Sequence, residues 1–118
     1  GWECWGNLPL ERQRLFDLIR QTQAHGVVFL SGDRHIGAYY RSQPPGLYPL
    51  HEMTSSGMTH AWAQASEAGP NRLGDLVRSN HYGSIDIDWA AGTLQLAFKD
   101  ESGAVLRSLA LALADLRP

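Results

Sequence analysis

Two side chains that could bind a metal ion follow a short apolar run early in the chain. Residues 27–30 are all apolar, and residues 31–32 (Ser-Gly) separate them from Asp33, Arg34 and His35. Aspartate offers a carboxylate oxygen and histidine a ring nitrogen, a donor pair that suits zinc, manganese or iron. The spacing therefore makes Asp33 and His35 candidate metal ligands, provided that the fold places them where a ligand can reach.

The apolar run at 27–30 predicts the strand that would position these two side chains. Glycines flank it, and two of its residues are β-branched, which favours a strand buried on both faces, as in a parallel sheet. Ligands of open α/β sheets bind beyond the carboxyl ends of the strands. Asp33 and His35 follow the carboxyl end of this strand, so we expect them at a site of chemistry.

The same stretch has other interpretations. Asp33 could cap a turn or pair with Arg34, while His35 packs structurally near the end of the sheet. Alternatively, Ser55 or Ser56 could be a nucleophile with His35 as its base, as in a serine esterase-like hydrolase. The sequence contains no Gly-x-Ser-x-Gly motif, so the esterase hypothesis depends on the two serines alone.

Length, charge and composition describe one ordinary globular domain, spanning 1–118. The chain has 118 residues, a formal net charge of -2 and 43% hydrophobic residues, enough for a single modest core. It contains no basic block, so nothing supports a nucleic-acid-binding surface or an anionic-membrane surface. Its apolar runs are far shorter than the ~20 residues of a membrane-spanning helix. Cys4 is the single cysteine and cannot form an intrachain disulfide.

The first half of the chain predicts an α/β arrangement. Apolar residues at helical spacing, with Asn7 as N-cap and Pro9 and Glu11 in the first turn, predict a helix over 8–25. Gly26 is placed to end this helix before the strand that follows. The other elements predicted here are a strand or helix start at 36–40, a strand at 47–54 and a short helix at 58–66.

From Tyr82 onward the sequence alternates between apolar and polar residues. Asp86 and Asp88 alternate with isoleucines in the first such stretch, and the alternation returns at 94–99 and 109–114. Short joins that contain glycine separate the stretches, which predicts an antiparallel meander. Because the two aspartates occupy alternate positions, we interpret them as a solvated strand face and not as a catalytic carboxylate pair.

Six stretches match the pattern of one enzyme family in order and spacing. They are Trp5-Gly6-Asn7 with Pro9 and Glu11-Arg12, then Gly26 to His35, Glu52 to Gly57, Asn71-Arg72, Asn80 to Gly83, and Ile85 to Trp89. Their order and spacing match the family over nearly the whole chain. The set resembles the PhoD-like alkaline phosphatases and phosphodiesterases, which belong to the calcineurin-like metallophosphoesterase superfamily.

This resemblance implies hydrolysis of phosphomonoesters or phosphodiesters by a metal-activated water. Two metal ions ~3.5–4 Å apart bind phosphate oxygens in such enzymes and stabilise the charge that develops on them. His35 matches the family's last metal-binding histidine, and Asp33 stands where PhoD-like members carry aspartate, so both are implied as catalytic metal ligands. Arg34 and Asn80 are implied as substrate-binding residues, with an outward-facing salt bridge as the alternative for Arg34. The implied metals are iron, calcium, zinc or manganese.

The resemblance also implies a fold, an α/β/β/α sandwich. Residues 1–118 would form its C-terminal half, a mixed sheet that ends in an antiparallel meander. The family's upstream Asp- and His-containing motifs are absent from these residues, and two candidate ligands cannot hold a binuclear centre. We therefore expect a piece of a longer enzyme, inactive alone, whose partner is the N-terminal half of the same domain.

Two further expectations concern behaviour outside the site. Without the N-terminal half, the chain would expose apolar surface and a strand edge, so we expect it to self-associate or to be marginally stable. Many family members are exported, so the resemblance is compatible with an extracytoplasmic location, although the sequence itself assigns no compartment. A non-catalytic domain, in which Asp33 and His35 are structural, is the main alternative.

The other histidines and the cysteine are interpreted as structural or surface residues. These are Cys4, His51, His60 and His81, while His25 is interpreted as a cation at the C-terminal end of the helix. His81 lies in one of the stretches that carry the resemblance, so it is the member of this group that we expect nearest to the site.

Overall fold

The computed structural model describes residues 3–67 and 69–117, and in these ranges the chain has mixed α/β structure. Helix α1 spans Pro9–Gln21, and short 3₁₀ turns lie at Trp5–Asn7 and Leu113–Asp115. The strands are β1 Val28–Ser31, β2 Gly37–Ser42, β3 Leu50–Ser55, β4 Tyr82–Asp88, β5 Thr93–Lys99 and β6 Val105–Ala112. None of the helices in the described ranges is long and apolar enough to cross a membrane.

The strands form two separate three-stranded sheets. The first has the order β1-β3-β2, in which β1 is parallel and β2 antiparallel to the central strand β3. The second has the order β4-β5-β6 and is antiparallel throughout, which confirms the predicted meander. The mixed α/β class is thus confirmed in a coarse form, while the four-layer metallophosphoesterase sandwich stays a prediction.

Strand β1 lies at the edge of its sheet, so the prediction of a strand buried on both faces is wrong. It pairs with β3 on one side, and no backbone hydrogen bond from another described residue reaches its other edge. Leu30 is 61% exposed although it stands in register with the buried side chains of Met53 and Tyr39. An apolar run indicates that other elements must pack against the strand, but it does not show where in the chain those elements are.

The two sheets pack face to face around aromatic side chains. Tyr39 of β2 stacks on Phe98 of β5 with ring centroids 4.6 Å apart, and neither is more than 1% exposed. The Tyr39 hydroxyl donates to the carbonyl oxygen of Leu96 at 3.0 Å. Burial raises the pKa of Tyr39 to about 12 although the nearby Arg107 opposes the shift. This hydroxyl therefore stays a hydrogen-bond donor between the two sheets at every physiological pH.

Helix α1 ends four residues before the predicted boundary. Its N-cap is Leu8 and not Asn7, and it has no side-chain cap. At the other end the Thr22 hydroxyl donates to the Leu18 carbonyl at 2.8 Å, and Gln23 adopts a left-handed backbone with φ of 50°. The left-handed backbone at Gln23 ends the helix, because it takes the chain out of the geometry that further helical hydrogen bonds need.

Residues 58–66 form an irregular connection, so the helix predicted there is wrong. The Trp62 N–H donates to the His35 carbonyl at 2.8 Å, and the Ala61 N–H donates to the Asn80 side-chain oxygen at 3.1 Å. A helix would need these backbone groups for its own ladder. The tertiary contacts take them instead and tie this connection to the residues around His35.

His51 gives the fold a pH dependence. Its side chain is only 8% exposed, and its Nδ1 has no hydrogen-bond partner within the described ranges. Burial, assisted by the charge of Arg41, lowers the pKa of His51 below the ordinary value of 6.5. The unfolded chain therefore binds this proton at a higher pH than the folded chain, so the free energy of unfolding falls as the pH decreases below about 6.5.

Replacing this histidine tests the pH dependence. Between pH 6.5 and 5 we expect His51→Gln to reduce the slope of unfolding free energy against pH, relative to the unmodified chain. The reduction should be at most the slope that uptake of one proton on unfolding contributes. Urea unfolding at several pH values measures the slope, and the exposed His25→Gln variant is the matched control. Equal slopes in the His51 variant and the unmodified chain would show that His51 takes up its proton while folded.

Candidate functional site

Asp33 and His35 lie in the turn that directly follows β1. Because β1 and β3 run parallel, this turn and the residues after β3 meet at the same end of the first sheet. Both Asp33 and His35 are exposed. Neither side chain forms a hydrogen bond or ion pair with any residue in the described ranges. The carboxylate oxygens and the ring nitrogens are thus available to an external ligand.

The backbone of this turn is held in an uncommon conformation. Asp33 has φ of 69° and His35 φ of 55°, both in the left-handed region. Among the described residues Gln23, at the end of the helix, is the other non-glycine with positive φ. Aspartate and histidine enter this region more readily than most residues, but each still costs on the order of 1 kcal/mol. Such strain persists where the surroundings fix it, and it is concentrated at functional sites.

Hydrogen bonds from distant residues fix the turn. The His35 N–H donates to the Ser56 hydroxyl oxygen at 2.8 Å, and the His35 carbonyl accepts from Trp62 at 2.8 Å. Ser56 follows β3, so the parallel pairing of β1 with β3 brings it here. The serine therefore contacts the backbone of His35 and not its ring, an arrangement that gives the esterase hypothesis no nucleophile–base pair at Ser56.

Arg34 joins the turn to a partly buried acidic residue, Glu67. An Arg34 guanidinium nitrogen lies 2.9 Å from a Glu67 carboxylate oxygen, so Arg34 does form a salt bridge, although a partly buried one and not the outward-facing one considered as the alternative to substrate binding. The Tyr40 hydroxyl donates to the other oxygen of the carboxylate, and Arg72 lies 4.0 Å away. Sequence reasoning missed Glu67, because no local pattern links it to a turn 33 residues earlier.

The charges around Glu67 favour its ionised form. Burial by itself would raise the pKa of Glu67, but hydrogen bonds from Tyr40 and Arg34 and the charges of Arg34 and Arg72 outweigh burial and lower it. Burial, together with the bond to Glu67, raises the pKa of Tyr40. At neutral pH the group is therefore a carboxylate held by two arginines and a neutral tyrosine, which fixes the position of Arg34 between the two candidate ligands.

His60 lies beside His35, although the sequence indicated no function for it. The two rings meet edge to face with centroids 5.2 Å apart and an interplanar angle of 83°. The backbone N–H of the next residue, Ala61, donates a hydrogen bond to the side-chain oxygen of Asn80. Asn80 therefore lies near the turn, where its side-chain oxygen positions the connection that carries His60. The substrate-binding function of Asn80 stays a prediction.

His81 is a buried structural neighbour of the turn. It is 2% exposed, its Nδ1 donates to the Ser79 carbonyl at 2.8 Å, and its Nε2 has no partner in the part of the chain that the structure describes. Gly57 gives the ring its space, because a Cβ on that residue would lie 2.5 Å from a ring carbon of His81.

A methyl group at Gly57 tests this close approach. We expect Gly57→Ala to lower the free energy of unfolding by roughly 1–3 kcal/mol, because the enclosed ring must move to admit the new atom. Gly6→Ala is the control, since a Cβ there meets its nearest neighbour at an ordinary 3.4 Å. Thermal unfolding of both variants measures the difference. Equal stability of the two variants would mean that the His81 ring can move away from the new methyl group without loss of stability.

The residues present fit only part of a metal site. Within residues 3–67 and 69–117 no group of three or more His, Cys, Asp or Glu side chains is placed to hold a metal ion. Asp33 and His35 supply one oxygen and one nitrogen donor of the correct chemistry, whereas a stable metal site usually has about four ligands. Any such site would need further ligands beyond these two side chains.

A cavity of about 600 Å³ opens next to the turn, between α1 and the first sheet. Asp33 and Arg34 contribute to its wall, together with Arg12 and Arg41. The guanidinium groups of Arg12 and Arg41 are in no ion pair with the residues that are described. The cavity thus offers two cationic groups without ion pairs on the same wall as Asp33, whereas His35 does not line it, and Glu3, Glu52 and Glu67 do.

Comparison with known proteins does not assign the chain to a family or a function. No protein-family model matches the chain, and neither do the curated proteins or the solved structures. The conclusions below therefore depend on the sequence pattern and on the geometry of the turn.

Proposed function

We propose that residues 1–118 are part of a metal-dependent phosphoesterase and contribute two of its metal ligands, Asp33 and His35. The observation that carries this proposal is the turn after β1, which holds both residues exposed and unpaired in a left-handed backbone. The left-handed backbone at both residues is the uncommon feature, and such strain is concentrated at functional sites. The resemblance to PhoD-like alkaline phosphatases and phosphodiesterases supports the same conclusion from the sequence.

Each residue around the turn has a distinct part in the proposed site. A bound metal ion would polarise a phosphate oxygen and supply an activated water for in-line attack. The Asp33 carboxylate and the His35 ring would hold the ion, and the Arg34–Glu67 ion pair keeps the turn between them in place. Arg12 and Arg41 supply positive charge for the anionic substrate in the adjoining cavity.

The donor set defines what residues 1–118 can do by themselves. Two ligands do not hold a binuclear centre, so phosphate ester hydrolysis requires the chain segment that carries the other ligands. We expect the 118-residue chain alone to be inactive toward phosphate esters. The same two ligands, an oxygen and a nitrogen donor, leave iron, calcium, zinc and manganese as candidate metals.

The proposal is tested on a protein that contains these residues together with the upstream part of its coding sequence. We expect that protein to contain metal by elemental analysis and to hydrolyse p-nitrophenyl phosphate or bis-p-nitrophenyl phosphate. A chelator should abolish the rate, and re-addition of metal should restore it. A metal-free protein without phosphatase activity would refute the proposal, and labelling of a serine by a fluorophosphonate probe would revive the esterase alternative.

A further inference from the structure

The space between the two sheets is open on one side, where β1 and β4 are the edge strands. Gly83 of β4 packs directly on β3, because a Cβ at Gly83 would lie 2.7 Å from Met53. Leu30 of β1 points to the same face as Met53 but is 61% exposed. The first sheet therefore extends past the second by one strand, β1, and the inner face of that strand has no cover among the described residues.

An apolar cleft lies in this opening. It has a volume of about 340 Å³, and its apolar walls are Leu30, Met53, Met58 and Ile85. Met58 is 72% exposed, and Ile85 and Ile87 of β4 are 44% and 45% exposed. The two isoleucines stand in register with the buried Leu96 and Leu94, so they are inward-facing positions of the second sheet. The cleft thus leaves apolar core positions of both sheets exposed to solvent.

The outer edge of β4 is unpaired along its seven residues, since no backbone hydrogen bond from the described ranges reaches it. One strand added at that edge would lie about 4.8 Å from β4. It would then lie beneath β1 and cover Leu30, so a single strand closes the opening.

We propose that the β1–β4 opening binds an extended polypeptide strand from outside residues 1–118, in which apolar and basic side chains alternate. The apolar side chains would enter the cleft beside Leu30 and Ile85. The basic side chains would face the other way, next to Asp86 and Asp88. Both aspartates are exposed and form no ion pair in the part of the chain that is described, and opposite charges on neighbouring strands stabilise the pairing.

A second copy of the chain fits this opening poorly, so the self-association expected from the sequence would have to use another surface. Antiparallel pairing of two β4 strands about a two-fold axis would place Asp86 and Asp88 of both copies on one face, where like charges repel. The projecting β1 of each copy would also occupy the position that the other copy's β3 requires. An external strand with basic residues meets neither obstacle.

The test uses the 118-residue chain and a capped, fluorescent nine-residue peptide in which valine and lysine alternate. We expect saturable binding by fluorescence anisotropy, and slower hydrogen exchange of the amides in 82–88 when the peptide is present. The control peptides have the same composition in scrambled order, glutamate in place of lysine, or a methyl group on every backbone nitrogen. Each control should bind at least about fivefold more weakly, because it removes the alternation, the charge match or the strand hydrogen bonds.

Two protein variants distinguish charge-specific binding of the peptide from non-specific binding. We expect Asp86→Lys to weaken binding of the lysine peptide about fivefold and to strengthen binding of the glutamate peptide. Glu101→Lys, in the exposed turn between β5 and β6, should change neither. Equal binding of all peptides would overturn the proposal, as would a dimer in sedimentation whose β4 amides are already protected. This readout is independent of metal content and of phosphatase activity.

Discussion

His35→Ala in a full-length protein that hydrolyses phosphate esters should remove most of the activity and part of the metal. We expect kcat to fall by on the order of 10²-fold or more, since even residues that only support metal ligands cost 10- to 100-fold when replaced. The exposed ring of His35 forms no hydrogen bond with the described residues, so its loss should leave the fold nearly intact. Steady-state assays and elemental analysis of the same preparation measure both effects.

His25→Ala is the matched control for this experiment, because His25 is also exposed and lies outside the turn. It should retain full rate and metal content. His60→Ala, which removes the ring beside His35 at a centroid distance of 5.2 Å, shows whether that neighbour contributes to the site. A His35→Ala protein that keeps its metal and its rate, and loses only stability, would establish the structural interpretation of the turn.

Glu67→Gln should destabilise the fold by about 2 kcal/mol, because Arg34 and Tyr40 would lose a charged acceptor in a partly buried environment. The Arg34 and Glu67 side chains are 27% and 19% exposed, so solvent screens their interaction only in part. We expect the melting temperature of the 118-residue chain to fall by roughly 8 °C. Thermal and urea unfolding measure the change, with Glu101→Gln in an exposed turn as the control.

The pH dependence gives this prediction a second readout. The pKa of Glu67 is lowered in the folded chain, so its contribution to stability is fully present above the ordinary carboxylate pKa of 4.5 and is lost as the pH falls through the folded value. The difference between the unmodified chain and Glu67→Gln should therefore shrink below pH 4.5. A constant difference down to low pH would show that the ionised carboxylate is not what stabilises the turn.

Local sequence patterns predicted the elements more successfully than their surroundings. The alternation after Tyr82 predicted the antiparallel meander, and the run at 27–30 predicted a strand in a parallel pair. Burial of that strand on both faces was wrong, because cover comes from other elements and the described residues leave β1 at an edge. The helix predicted at 58–66 was wrong because His35 and Asn80 take backbone groups that the helix would need.

The sequence by itself determined the mixed α/β class and the position of Asp33 and His35 directly after a strand. These features follow from residues close together in the chain, whose spacing is visible without a structure. Only the tertiary structure decided that both residues have a left-handed backbone, that Glu67 holds Arg34, and that His60 lies beside His35. Each of these depends on pairing β1 with β3 and on contacts between residues more than 20 positions apart, which no local pattern encodes.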